Sequence, residues 1–312
     1  MAQEKPFRIG TRGSPLALWQ AYTVRDKLKA AHGLGDDAIQ IIEVKTIGDK
    51  VLDRRLAEIG GKGLFTKELD AFLAEGDVDC AVHSLKDVPT FLPPGMVLAA
   101  YLEREDPRDA LIAGDITSLD QLPQGSVVGT ASLRREALLR AARPDIEVVL
   151  LRGNVQTRLS KVAGGEMDAA ILANAGLKRL DLTRVISEVL DPDVFLPAVG
   201  QGIVAVQIRD NDPRALDLVG ALNVQESKAA ALTERSFLAT LDGSCQSPIA
   251  GHARISGDAL HFEGRLMTSD GTEIETEATE GSTADAEAIG RRAAEAILAR
   301  ASERLKAVLL DH

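Results

Sequence analysis

Aromatic side chains are scarce in this 312-residue sequence: Phe, Trp and Tyr together make up 3%. Any core must therefore be built from Leu, Ile, Val and Ala. Cysteine is scarcer still, and Cys80 and Cys245 stand too far apart to form a disulfide framework. No Cys/His spacing fits a metal site, and the five histidines are scattered. No apolar run approaches the ~20 residues of a membrane span. The opening Met-Ala-Gln-Glu-Lys-Pro holds no hydrophobic stretch of the secretory kind. Positive charge is in deficit, with 36 Lys and Arg against 47 Asp and Glu, net −11. That balance argues against general nucleic-acid binding, which needs a basic face. The expectation is a soluble cytoplasmic protein with neither membrane nor nucleic acid as partner.

What is present is ordinary for a globular chain: 45% hydrophobic and 27% charged residues. The length allows two or three domains. Charge is unevenly spread. Val128–Arg184 carries ten Lys/Arg against six Asp/Glu, a local +4, and Gly257 to the end carries six against twelve, or −6. A basic interior in an acidic protein suits a small anionic ligand, although solvated helix faces would give the same balance.

Short apolar runs alternate with amphipathic stretches. Strands are expected at Phe7–Gly10, Ile39–Thr46, Asp79–Leu85, Ser126–Thr130, Ile146–Leu151, Asp168–Ala173 and Ile203–Ile208. Between them lie helices opened by Ser14-Pro15 and at Leu64–Glu75, Leu133–Arg143, Val155–Val162 and Pro213–Leu222. This βαβα rhythm predicts an α/β fold with mostly parallel sheets. From about residue 222 the pattern changes to a long helix at Glu226–Leu241, alternating strands at Gly251–Arg254, Leu260–Met267 and Thr272–Ala278, and an Ala-rich helix at Ala284–Ala299. The charged, Pro-containing 103–109 stretch and the Gly/Pro-punctuated 196–202 stretch read as crossings between domains. The reading is two α/β domains followed by a small C-terminal α+β domain.

In open α/β sheets, ligands bind beyond the carboxyl ends of the strands. Those ends read Thr11-Arg12, His83-Ser-Leu-Lys-Asp87, Thr130-Ala-Ser-Leu-Arg-Arg135 and Arg152-Gly-Asn-Val-Gln-Thr-Arg158. Ser132 and Asn154 are candidate N-caps whose turns offer free N–H groups to an anion. Arginine adds a planar fork for carboxylates. So many arginines at strand ends suggest a ligand with several carboxylates or phosphates. Asp87 is the carboxylate among them with catalytic potential, for a cationic intermediate or a proton; a helix cap or structural ion pair would equally account for it. On an extended segment Lys86 and Asp87 would point to opposite sides. Cys245 lies in a turn-rich loop that suits a reactive thiol, whereas Cys80 sits in an apolar strand. The Gly-rich Ile59–Phe65 loop fails the phosphate-binding loop pattern because Gly63 follows Lys62, and reads as a lid or hinge with Lys62 and Phe65 toward a ligand, or as a plain flexible loop.

Several stretches in order, Thr11–Gln20, Gly60–Phe65, Ala81–Pro89, Arg104–Ala110, Gly129–Arg135, Leu151–Val155, Leu196–Gly202 and Gly243–Gln246, resemble the porphobilinogen deaminase (hydroxymethylbilane synthase) family over essentially the whole chain. The resemblance implies two periplasmic-binding-protein-like α/β domains around a cleft. The first would be discontinuous (1–102 and 200–221), the second would span 103–199, and an α+β third (222–312) would carry a dipyrromethane cofactor in thioether linkage to Cys245. It implies a transferase of tetrapyrrole (haem) biosynthesis that joins four porphobilinogen molecules head to tail with loss of ammonia, acting as a monomer. By resemblance Asp87 is the catalytic aspartate, steadying pyrrole and azafulvene cations. Ser84, Lys86, Asp87, Thr130, Ser132, Arg134, Arg135 and Arg158 would hold the cofactor, and Arg12, Gln20, Arg152, Arg158 and Arg179 the substrate pyrroles. Two positions depart from the family: Glu58 stands where a lid lysine is common, and Ser244 where glycine often precedes the cofactor cysteine.

Two other classes compete. A cytoplasmic polycarboxylate-binding protein of the same two-lobed fold would need neither a third domain nor a reactive cysteine. A cysteine-nucleophile acyl transferase would need a base beside Cys245, and His252 is near it only in sequence.

Overall fold

The computed structural model describes residues 5–46, 63–244 and 247–309. The first sheet has the order β2 (Ile39–Val44), β1 (Phe7–Arg12), β3 (Cys80–Ser84), β10 (Val204–Arg209), β4 (Met96–Tyr101). β1 runs parallel to both neighbours and β10 antiparallel to both of its own. The second sheet repeats this plan as β7 (Glu147–Leu150), β6 (Val127–Thr130), β8 (Ala169–Ala173), β5 (Asp109–Ile112), β9 (Glu188–Val189). There β6 is parallel to both neighbours and β5 antiparallel to both. Because β10 belongs to the first sheet, the chain crosses to the second sheet after β4 and crosses back before β10.

Local chemistry starts the helices where the sequence indicates. The Ser14 hydroxyl accepts the Ala17 N–H ahead of α1 (Pro15–His32), which Gly33 ends at φ +63°. Ser132 caps α3 (Leu133–Ala142) and Asn154 caps α4 (Val155–Ala163). α2 (Lys67–Glu75) starts three residues later than expected, because Gly63–Thr66 closes a hydrogen-bonded turn in which the Thr66 N–H reaches the Gly63 carbonyl at 2.9 Å. β4, β5, β9, α5 (Asn174–Arg179) and the short helix Glu303–Ala307 escape the sequence reading. β5 is four residues long and buried throughout, so it shows no alternation, and its first residue looks like one more charge of the acidic linker.

The C-terminal unit is an antiparallel meander of β11 (Ile249–Ser256), β12 (Ala259–Met267) and β13 (Ile274–Ser282). It packs on α7 (Gln225–Thr240) and α8 (Ala286–Arg300), with α6 (Pro213–Gly220) before them and α9 (Glu303–Ala307) after. A Cβ on Gly290 would stand 2.0 Å from the Thr233 carbonyl oxygen, so α7 and α8 meet at backbone distance. Phe237 and Phe262 pack at 5.0 Å between the helices and the sheet. No helix among the described residues is long and apolar enough to cross a membrane.

Candidate active site

The site lies where both sheets end and the crossings pass between them. On the first sheet, the buried Thr11 hydroxyl donates to the Ala17 carbonyl at 3.1 Å and ties the strand end to α1. Arg12 projects beyond it and lies over the Phe65 ring at 4.2 Å. Buried Gln20 donates to the Ser84 hydroxyl at 2.8 Å. β3 stops at Ser84, and Leu85–Asp87 winds into a 3₁₀ turn closed by Val88 N–H on the Leu85 carbonyl. Lys86 and Asp87 therefore do not alternate across an extended strand, as the sequence suggested; consecutive residues of a 3₁₀ turn project about 120° apart. Arg12, Gln20, Phe65, His83, Ser84 and Asp87 line one pocket.

On the second sheet, Thr130 ends β6 and its hydroxyl accepts the Ser132 N–H at 3.2 Å. Arg134 and Arg135, the first residues of α3 to face inward, are 3% and 5% exposed. Here they are committed to a residue the sequence reading passed over, the fully buried Asp109. Arg134 Nη2 donates to Asp109 Oδ2 at 2.7 Å and its Nη1 to the Leu196 carbonyl. Arg135 donates through Nε and Nη2 to Asp109 Oδ1 at 3.1 and 2.8 Å. Gln201, on the returning crossing, completes the cluster. Its Nε2 donates to Asp109 and the Pro107 carbonyl, and its Oε1 accepts from Lys86 Nζ at 3.2 Å and Arg135 Nη2 at 3.4 Å. Gln201 stood in a quoted motif without a role; what could have flagged it is a polar residue between two glycines.

Arg152 is buried beyond β7, and the Arg158 Nε donates to the Gly153 carbonyl at 2.8 Å. Arg179 donates to the Gly202 carbonyl at 2.6 Å and lies 5.5 Å from the Trp19 ring, bridging the two halves. Burial disfavours the charged forms of Lys86, Arg158 and Arg179, as does neighbouring positive charge for the first two. Burial, and then the Arg135 guanidinium, push Lys86 down to about 8. Burial, then Arg135 and Arg152, push Arg158 down to about 10, and burial pushes Arg179 to about 10. Burial alone would raise the Asp109 carboxyl, but Arg134 and Arg135 hold it well below the usual range. Asp87 acts favourably on both Lys86 and Arg158. Among the described residues, the cations Lys86, Arg134, Arg135 and Arg158 are thus coupled to the carboxylates Asp87 and Asp109, and the buried Arg134 Nε has no hydrogen-bond partner. Such a cluster fits a ligand carrying several carboxylates.

The third unit grips the two crossings. Glu234 of α7, fully buried, accepts from Arg104 on one crossing and from the Gly200 N–H on the other, at 2.6 Å. Gly202, at φ +88°, leaves no room for a Cβ, which would meet the Glu105 carbonyl oxygen at 2.3 Å. Lys62, Glu58 and Cys245 lie outside the described residues. Cys80 is buried, and burial pushes its thiol far up, so it is inert. His252 faces Arg104 and Arg254, and burial with those charges lowers it to about 3, which makes it a poor base for an acyl transferase. Among the described residues no three His, Cys, Asp or Glu side chains are grouped to hold a metal.

Fold and site together define two α/β domains whose strand ends meet at a cation-rich cluster, with a small third domain packed against the crossings between them. Residues 7–217 match the model of the porphobilinogen deaminase dipyrromethane cofactor-binding domain, and 228–299 that of the porphobilinogen deaminase C-terminal domain. Curated porphobilinogen deaminases of Nitrobacter hamburgensis and Nitrobacter winogradskyi are each 51% identical over 296 residues, 95% of this chain and 94% of theirs. Among solved structures, an ABC-transporter periplasmic substrate-binding protein from Coxiella burnetii is similar at 19% identity, over 69% of this chain and 91% of that one, with a TM-score of 0.44. The chain belongs to the porphobilinogen deaminase family of transferases.

Proposed function

We propose that the chain condenses four porphobilinogen molecules head to tail into hydroxymethylbilane, releasing one ammonia per condensation, on a dipyrromethane primer bound through a thioether to Cys245. The observation that carries this reading is the cation excess around Lys86, Arg135 and Arg158 with Asp87 set against it. Each pyrrole brings an acetate and a propionate, so a growing chain supplies the carboxylates the cluster lacks. Arg134, Arg135, Arg158, Lys86, Ser84, Thr130 and Ser132 would hold the cofactor, and Arg12, Gln20, Arg152, Arg158 and Arg179 the incoming pyrroles. When bound, the dipyrromethane supplies a pyrrole carbon to which the first substrate joins. Asp87 keeps a carboxylate beside the place where positive charge develops as the substrate amine departs, and can carry the proton released when the carbon–carbon bond closes. Enclosure strengthens these interactions, because the local dielectric is low. The reading includes a cytoplasmic, monomeric protein with the three-domain division above, in which Lys62 and Phe65 serve the lid.

Intact mass followed by peptide mapping tests it. A dipyrromethane mass on the Cys245 peptide, present on purification or gained on incubation with porphobilinogen, is the expected result. No uptake would overturn it in favour of a carboxylate-binding protein.

A further inference from the structure

Glu234 and Arg235 are neighbours on α7 but serve different parts of the molecule. Glu234 holds the crossings. Arg235 reaches the segment that follows Asp87: its Nη2 donates to the Pro89 and Thr90 carbonyls, both at 2.9 Å. From that segment the Thr90 hydroxyl donates to the Gly243 carbonyl at 2.7 Å, two residues before Cys245. These bonds join stretches about 150 positions apart and belong to no helix, ladder or cap. Both ends are themselves fixed. The Leu85 N–H is held by the Ile203 carbonyl at 2.9 Å, and the Gly243 N–H by the Leu238 carbonyl at 3.0 Å. A Cβ on Gly243 would stand 2.3 Å from Ile249, and the Ser244 N–H is held by the Ser247 hydroxyl at 3.2 Å. Thr90 is three residues from Asp87 and Gly243 two from Cys245, at most about 11 and 8 Å of chain.

We propose that Thr90 and Arg235 are positioning residues: they clamp the Asp87 segment to the Gly243–Ser244 stretch and so set the reach between the reacting carboxylate and the primer's point of attachment. The inference rests on the reading that Cys245 carries the primer. These bonds join a segment that follows the first sheet's β3 to Gly243 of the third unit.

Thr90→Val keeps the shape and removes the donor. Misplacing reacting groups by about 1 Å can reduce turnover by about two orders of magnitude. The expected result is full dipyrromethane mass in the variant, kcat lower by about tenfold, KM within about twofold, and recovery in Thr90→Ser. Arg235→Lys, which replaces the two-carbonyl fork by a point donor, should lower kcat in the same sense. Thr90→Val with unchanged kcat, a loss confined to KM, or failure of Thr90→Ser to recover activity would overturn the clamp. Failure of the parent protein to gain mass on Cys245 would instead overturn the attachment reading beneath it.

Discussion

Two buried carboxylates organise the centre of this molecule, and they are matched very differently. Glu234 meets one guanidinium, that of Arg104, and two backbone N–H groups, of Gly200 and Ala253, which together satisfy both its oxygens. Asp109 meets two guanidiniums and a glutamine, and among the described residues Lys86 and Arg158 crowd the same region with Asp87 set against them. A balanced buried ion cluster holds a structure together, since removing one partner strands the other. An unbalanced one stores an unmet demand for anions. The first joins the third domain to the crossings; the second lies where the ligand is proposed to bind.

The comparison breaks first at Asp87. Asp87→Ala removes the carboxylate set against Lys86 and Arg158 and beside the reacting position, so kcat should fall by about 10²–10⁴-fold in a protein that still folds. Near-normal turnover would remove Asp87 from the reaction. Glu234→Ala strands a mostly buried Arg104 and should cost about 3–5 kcal/mol in urea unfolding, equally in apo-protein and cofactor-loaded protein. A loss that the cofactor relieves would show that the balanced cluster also serves the ligand. Arg135→Leu should lower cofactor retention by about 10–100-fold at limiting porphobilinogen, read as the loaded fraction by mass, as one or two charge-assisted bonds to a carboxylate are lost. Stability should fall less, because Arg134 still pairs with Asp109. Full loading would mean that Arg135 serves Asp109 alone.

The smallest effect is a pH dependence. Burial and the Arg135 guanidinium hold Lys86 at about 8 in the fold, against 10.5 unfolded. Below pH 8 both states carry the proton. Between about 8 and 10.5 the unfolded chain keeps a proton the folded one has lost, so this group favours folding more as pH rises. Anion binding runs the other way, since the cleft loses a charge as pH passes 8. Cofactor uptake by apo-protein should weaken by less than about tenfold between pH 7 and 9, and Lys86→Arg, which stays charged, should flatten the decline. An unchanged slope in Lys86→Arg would assign it to another group.

The α/β rhythm, the caps at Ser14, Ser132 and Asn154, and the arginines at strand ends were legible in the sequence, because each depends on residues a few positions apart. β5 was not, being too short and too evenly buried to show a period. Asp109 escaped for a related reason: among the acids of 103–109 nothing local marks the one that becomes fully buried. The 3₁₀ turn at Leu85–Asp87 was likewise invisible, since its first N–H, that of Leu85, is anchored by the Ile203 carbonyl just before the returning strand.

By itself the sequence determined which chemistry is available: a carboxylate at Asp87, a thiol at Cys245, cations beyond the strands, and the motifs of one family. Tertiary structure alone decided how the charges are shared. Which arginine meets which acid inside the protein, and how far Lys86 and Arg158 are perturbed, depends on side chains brought together from distant strands and crossings, and on the desolvation that their enclosure imposes.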